Sequence, residues 1–205
     1  MARKNDSLET FRSRRDFRKT PEPPPGKKAK GLKKRIFVIQ KHDASHLHYD
    51  LRLEIDGVLK SWAVPKGPST DPSEKRLAAP TEDHPLEYAD FEGVIPEDEY
   101  GGGTVIVWDS GSYRNLRQGD DGREFPMSEA FDEGKIEVWL EGRKLTGGFA
   151  LIRTGKDRSG KSRWLLVKMK DEKADARRNP VSTQPASVLS GKSIEQVAKE
   201  NEPKE

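Results

Sequence analysis

The stretch Leu51-Arg-Leu-Glu-Ile55, Asp56-Gly57, Val58-Leu-Lys-Ser-Trp-Ala-Val64 decides the fold. Leu51, Leu53 and Ile55 alternate with Arg52 and Glu54, the period-two pattern of a strand with one buried face. Asp56-Gly57 accepts the positive φ angles of a two-residue hairpin turn, and the β-branched and aromatic residues of 58–64 supply the return strand. The stretch therefore predicts a β-hairpin. Upstream, Ile36-Phe-Val-Ile39 reads as a buried strand. Downstream, β-rich runs at 103–108, 135–140, 148–153 and 163–169 are separated by Gly, Asp and Ser clusters that mark turns. Residues 127–133 are the one short helical pattern before the C-terminal tail. Many strands and little helix favour a mostly β fold, a sandwich or a closed barrel, over a doubly wound α/β sheet. Closure would also remove exposed strand edges.

A chain of 205 residues is long enough for one core and short for two. Its charged fraction is 36%, against roughly 25% in an average globular protein, so part of it is expected to lie outside the core. Residues 1–34 read as a basic flexible arm, with Pro21 and Pro23-Pro24-Pro25 forming an extended linker. Residues 35–170 form the β domain, and 171–205 a polar linker or tail in which Ser193 and Gln196 have the spacing of a helix capping box. Residues 1–35 hold 13 Lys and Arg against 4 Asp and Glu, a net +9, which leaves −6 for the remainder of a chain whose total is +3. A basic arm on a mildly acidic body suits attraction to phosphate, through Lys27, Lys28, Lys30, Lys33, Lys34 and Arg35; the plain alternative is a solubilising tail. The absence of Cys excludes a disulfide framework, a thiolate nucleophile and a zinc-thiolate site, so any metal must be held by His and carboxylates. No apolar run approaches the ~18 residues of a membrane span, and the basic N-terminus lacks a signal-peptide apolar stretch. A cytoplasmic protein with no membrane partner is expected.

The chemistry concentrates in His42-Asp-Ala-Ser-His-Leu-His-Tyr-Asp-Leu-Arg-Leu-Glu54, which holds three of the four His. In a strand, His46, His48, Asp50 and Arg52 share one face, while Leu47, Tyr49, Leu51 and Leu53 share the other. Four ionisable groups on one face are costly to bury unpaired, and a metal resolves that conflict. His48 and Asp50 can reach one ion, with His42 closing a three-ligand set from the adjoining strand end. Such a set suits manganese, zinc or iron, and leaves positions open for water and substrate. His46 reads as a surface imidazole. Arg52 is either a surface cation or a group that acts on substrate. A second cluster, Glu82-Asp-His84-Pro-Leu-Glu-Tyr88, carries the remaining His. Arg, His and Tyr beside a metal are donors for phosphate oxygens, although His84 can equally cap a turn and Tyr88 can be packed with its hydroxyl satisfied.

Five ordered stretches carry a resemblance: Phe37-Val-Ile-Gln-Lys-His42, His48-Tyr-Asp-Leu-Arg52, Trp62-Ala-Val-Pro-Lys-Gly67, Glu82-Asp-His84-Pro-Leu-Glu-Tyr88, and Glu92-Gly-Val-Ile-Pro96 through Gly103-Thr-Val-Ile-Val-Trp108. Together they resemble the 3′-phosphoesterase domain of bacterial DNA ligase D, over roughly residues 35–170. That resemblance implies a compact β-barrel acting with a divalent metal, manganese in the first place with zinc or cobalt as substitutes, in end healing for non-homologous end joining. It implies stepwise trimming of a 3′ ribonucleotide, by phosphodiesterase cleavage and then removal of the 3′ phosphate, on DNA primer-template ends. His42, His48 and Asp50 would be metal ligands, and Arg52, His84 and Tyr88 would engage the scissile phosphate. His84 would donate a hydrogen bond and protonate the leaving oxygen. Gln40, Lys66, Arg76 and Glu82 would form a supporting shell. Arg14, Asp16, Glu22 or their neighbours would assist the diesterase step, with no position assigned. Implied partners are the ligase and polymerase domains of ligase D, in cis or in trans, and Ku, at the bacterial nucleoid. Asp98 stands where glycine is expected in the Pro-Glu-x-Glu-Tyr turn. The chain has no Lys-x-Asp-Gly ligase motif, and Ser187-Val-Leu-Ser-Gly191 resembles the linker that precedes the ligase domain. Two rivals remain. His48-x-Asp50 with a distant His is also the ligand pattern of non-haem iron oxygenases, and a non-catalytic DNA-end binding module would use the same cluster for a structural ion.

Overall fold

The computed structural model describes residues 6–26 and 35–201. Strands β1 (Ile36–Asp43), β2 (Leu47–Ile55) and β3 (Val58–Val64) form an antiparallel meander. The hairpin forms as expected: Ile55 faces Val58, and Asp56 (φ 53°) and Gly57 (φ 82°) both take the left-handed conformation of the two-residue turn. Strands β4 (Lys75–Pro80), β5 (Gly93–Ile95), β6 (Gly103–Asn115), β7 (Lys135–Gly142), β8 (Thr146–Lys156) and β9 (Ser162–Lys168) follow. Eight of them close in the order β1-β2-β3-β4-β9-β8-β7-β6, with β6 pairing back onto β1. The fold is thus a closed antiparallel barrel, which settles the choice between barrel and sandwich. The long β6 shares its second edge, pairing β5 near Gly103 and β7 near Gly111. Strands β4 and β5 have no counterpart among the β-rich runs. Lys75-Arg-Leu-Ala-Ala-Pro80 lacks bulky alternation, and Gly93-Val-Ile95 is too short to signal itself.

Odd-numbered residues of β1 and β2 point inward. Phe37, Ile39, Tyr49, Leu51 and Leu53 pack with Trp62, Trp108, Phe149 and Trp164 in the barrel core. The helix α2 (Met127–Glu133) forms over the expected residues, ends on left-handed Gly134, and buries Met127 and Ala130 in that core.

Even-numbered residues of the same strands point outward, where a second apolar cluster gathers Val38, Leu59, Tyr88, Phe91, Ile95, Val105 and Val107. Its roof corrects the expectation of a flexible arm for residues 6–26. The short helix α1 (Glu9–Ser13) buries Phe11 completely in this cluster, with Phe17 beside it. Charge composition could not show this, because a single aromatic ring anchors an otherwise polar segment. The basic run Lys27 to Lys34 lies outside the described residues.

Residues 171–201 are likewise not a free linker. In α3 (Pro180–Thr183), Val181 packs against the barrel core. The Gln184 carbonyl accepts from Trp108 Nε1 at 2.8 Å and Lys144 Nζ at 2.8 Å, and Val188 N donates to Val107 O at 2.9 Å. Ser193 and Gln196 form the expected capping box of α4 (Ile194–Glu200), which buries Ile194 and Val197 against Ile106. Among the described residues no helix is long and apolar enough to cross a membrane.

Candidate metal and phosphate site

Strand pairing sets His42 opposite His48, Gln40 opposite Asp50 and Val38 opposite Arg52, so one outer patch of β1 and β2 carries His42, His48, Asp50 and Arg52. His84 reaches this patch by extending the sheet for one pair: Leu59 and His84 exchange backbone bonds of 2.8 and 3.0 Å. A 3₁₀ turn at Leu86–Asp90 then brings Tyr88 back over the strands. Gln40 fixes that turn from beneath. Its Nε2 donates to the carbonyls of Tyr88 and Phe91 at 3.0 Å each, and its Oε1 accepts from Arg52 Nε at 2.7 Å.

His42, His48 and Asp50 each offer a ligand atom, all within 4.8 Å of one another. His42 Nδ1 lies 3.7 Å and His48 Nε2 3.5 Å from the Asp50 carboxylate, longer than good hydrogen bonds. His42 Nε2 is buried and has no hydrogen-bond partner. His48 Nδ1 lies 2.9 Å from the His46 carbonyl, which puts its proton there and leaves Nε2 with a lone pair. A buried imidazole whose Nδ1 approaches the Asp50 carboxylate, a second imidazole with a lone pair on Nε2, and that carboxylate itself, with ligand atoms within 4.8 Å of one another, fit a divalent cation. Burial alone would raise the Asp50 carboxyl, but the Arg52 guanidinium at 3.0 Å, and then His42 and His48, hold it well below the usual carboxylate range. Burial lowers the His48 imidazole, yet its contacts with Asp50 leave it raised overall. His46 is exposed and stands outside the cluster.

His84 is held neutral. Burial, then the charges of Arg52 and Arg15, push its pKa well below the ordinary imidazole value. Arg52 Nη1, which can only donate, sits 3.0 Å from His84 Nδ1, a contact that favours the tautomer with its proton on Nε2. The Glu82 carbonyl, which can only accept, lies 2.9 Å from the same nitrogen and favours the opposite one. A neutral imidazole keeps one N–H to donate. Burial, reinforced by Glu22, raises the Tyr88 phenol well above its ordinary value; it donates to Glu22 Oε1 at 2.9 Å. The Arg52 guanidinium lies 5.0 Å from the Tyr88 ring centroid.

These groups line a cavity of about 290 Å³ together with Arg15, Glu22, Ala44, Thr81, Glu82, Ile95, Tyr100 and Gly101. Of the supporting residues expected from the sequence, Glu82 lines the cavity and Gln40 underlies it. Lys66 is exposed and Arg76 is paired with Glu74, and neither lines it. Arg15 and Tyr100 were not singled out by sequence. Arg15 is nearly buried, bonded to Glu22 at 3.0 Å and to Glu82. Arg14 binds Glu82 at 3.1 Å and the Tyr100 hydroxyl at 2.7 Å, whereas Asp16 pairs with Arg18 away from the cavity. Phe11 and Phe17, the aromatic residues of a charged segment, were the available signal that 6–26 packs here.

The fold and the site together define a closed β-barrel with a surface cavity in which His42, His48 and Asp50 could hold a divalent cation. Residues 40–153 match the DNA ligase D 3′-phosphoesterase domain, and the chain belongs to that family. It is 50% identical over 192 residues to the multifunctional non-homologous end joining protein LigD of Pseudomonas aeruginosa, covering 91% of this chain and 22% of that protein. It is 49% identical over 173 residues to LigD of Mycolicibacterium smegmatis (82% and 21%) and 48% identical over 168 residues to LigD of Mycobacterium tuberculosis (82% and 20%). The chain therefore spans about a fifth of the length of these curated relatives.

Proposed function

We propose that this domain is a divalent-metal-dependent phosphoesterase that heals DNA 3′ ends, cleaving a 3′-terminal ribonucleotide as a phosphodiesterase and then removing the 3′ phosphate to leave a hydroxyl. The observation that carries the proposal is the convergence of His42, His48 and Asp50, within 4.8 Å of one another, beside an Arg52 bonded to the same carboxylate. His42, His48 and Asp50 would hold manganese, or zinc or cobalt. When bound, the cation supplies a Lewis acid for a phosphate oxygen and lowers the pKa of a water molecule. Arg52 neutralises charge that grows on the non-bridging oxygens, and His84 Nε2–H donates to one of them. Tyr88, protonated throughout, delivers its hydroxyl to the phosphate by exchanging its bond to Glu22. Gln40 and Ser61, at 2.7 and 2.9 Å from Arg52, keep the guanidinium in place, so its entropy is lost on folding and not on binding. In the cell the domain would act at the nucleoid beside ligase and polymerase activities, in cis or in trans, and with Ku.

The test is a 5′-labelled primer-template ending in one 3′ ribonucleotide, incubated with manganese or with chelator, alongside Asp50→Ala. Conversion to a 3′-phosphate and then a 3′-hydroxyl species, abolished by chelator and in the variant, is expected. Metal-dependent binding of the end without product would overturn the proposal in favour of a non-catalytic module; iron-dependent oxygen consumption would point to an oxygenase.

A further inference from the structure

Tyr100 is the one aromatic side chain among the large exposed apolar residues described, with 49% of its surface accessible. Single exposed apolar residues are ordinary on protein surfaces. Three features set this one apart. It lines the same cavity as His42, His48, Asp50 and Arg52. Its orientation is held: the hydroxyl is bonded to Arg14 Nη1, whose same nitrogen reaches Glu82 at 3.1 Å, and the Arg14 guanidinium carbon lies 4.6 Å from the ring centroid. Its backbone is preset by a tight turn, in which Gly102 N donates to Glu99 O at 3.1 Å and Gly101 takes φ +80°. A Cβ on Gly102 would stand 2.7 Å from the Pro96 carbonyl oxygen, so the close approach of this turn to Pro96 leaves no room for a side chain at that position. A ring held at its hydroxyl by Arg14, with the Arg14 and Arg15 guanidinium carbons over it at 4.6 and 5.6 Å from its centroid, and still 49% accessible at the rim of the cavity, is suited to a flat π system joined to a phosphate.

We infer that Tyr100 is the platform on which the base of the 3′-terminal nucleotide stacks while its phosphate occupies the cavity. The inference rests on the phosphoesterase reading and adds to it how the terminal nucleoside is held. A cavity of about 290 Å³ accommodates a sugar and phosphate and leaves the base at the rim. Stacking on an aromatic face is tolerant of sequence, because every base has a π face. Tyr100 is thus a positioning residue, and it contributes to binding more than to the chemical step.

The experiment compares the full chain with Tyr100→Leu and Tyr100→Phe in manganese, on two primer-templates that differ only in whether the terminal 3′ ribonucleotide carries a base or is abasic. Tyr100→Leu should raise KM about tenfold on the base-bearing end with little change in kcat, the scale expected for one base–aromatic stack. Tyr100→Phe should recover most of that loss. On the abasic end the wild-type protein and Tyr100→Leu should become equivalent. An equal loss on both ends, or a Tyr100→Phe as poor as Tyr100→Leu, would overturn the inference and leave Tyr100 as an anchor for Arg14. Because each variant is compared with itself on two substrates, a partly misfolded preparation does not mimic the expected result. Binding of both ends is followed in parallel by fluorescence anisotropy. Base-dependent affinity that vanishes in Tyr100→Leu, without turnover by the wild type, would retain the platform and sink the phosphoesterase; turnover without base dependence would do the reverse.

Discussion

Arg52 Nη2 lies 3.0 Å from Asp50 Oδ2, two residues away on the same outer face of β2, and His42 and His48 approach that carboxylate from 3.7 and 3.5 Å. One buried carboxylate therefore serves both a guanidinium and the proposed cation. Removing the guanidinium in Arg52→Met would leave the buried Asp50 with only His42 and His48 beside it, a change that costs about 3 kcal/mol. Manganese at a hundredfold excess over its dissociation constant should return about 2.7 kcal/mol. Urea unfolding with and without manganese measures both. A variant that loses stability and gains nothing from manganese, when the wild type does gain, would count against a cation on this carboxylate.

His84 sets an acid limit. Its folded-state pKa lies well below 6.5, so as pH falls through that value the unfolded chain takes up a proton that the folded protein refuses. Unfolding is then favoured, and stability falls with decreasing pH until the folded-state pKa is reached. Between pH 7.5 and 5.5 this group should withdraw about 1 kcal/mol. His84→Gln should flatten that part of the profile. His48, with its pKa raised, acts in the opposite sense but is present in both proteins. Parallel stability–pH curves for the wild type and His84→Gln would refute the neutral buried imidazole.

Phe11 is the buried anchor of the segment that carries Arg15 and Glu22 to the cavity. Phe11→Ala removes a fully buried ring, a change worth about 3 kcal/mol in a well-packed site. The barrel core is a separate cluster, so the loss should be local: amide exchange across residues 8–22 should accelerate while the exchange of β7 and β8 is retained. Uniform acceleration would mean that the segment and the barrel unfold together.

Truncation after residue 170 should destabilise the barrel, although that tail is polar. It deprives Trp108 Nε1 and Lys144 Nζ of the Gln184 carbonyl and uncovers Ile106. A buried donor left without an acceptor costs about 1–3 kcal/mol, and the lost apolar cover adds to it. A denaturant midpoint unchanged by the truncation would show that the contacts of 171–201 add nothing.

Local pattern carried much of the fold. The alternation of Leu51, Leu53 and Ile55, the Asp56-Gly57 turn, the helix at 127–133 and the Ser193/Gln196 cap are all short-range features, decided by side-chain period and turn chemistry within a few residues. The same period put His48, Asp50 and Arg52 on one face, and their density made that face a candidate site. Strand β4 escaped notice because its burial comes from neighbours: Ala78 is core only because Trp164 lies opposite it on β9.

The sequence by itself determined which residues could share a strand face and which ionisable groups would have to be paired. Tertiary structure alone decided that this face lies outside the barrel, that Phe11 and Glu22 of a charged segment roof it, and that burial, with the charges of Arg52 and Arg15, holds the His84 pKa well below the ordinary imidazole value. The division has one physical cause. Periodicity acts between residues a few positions apart, whereas burial and electrostatic pairing depend on groups that only closure of the chain brings together, as with Tyr88 and Glu22, 66 residues apart and joined by a 2.9 Å hydrogen bond.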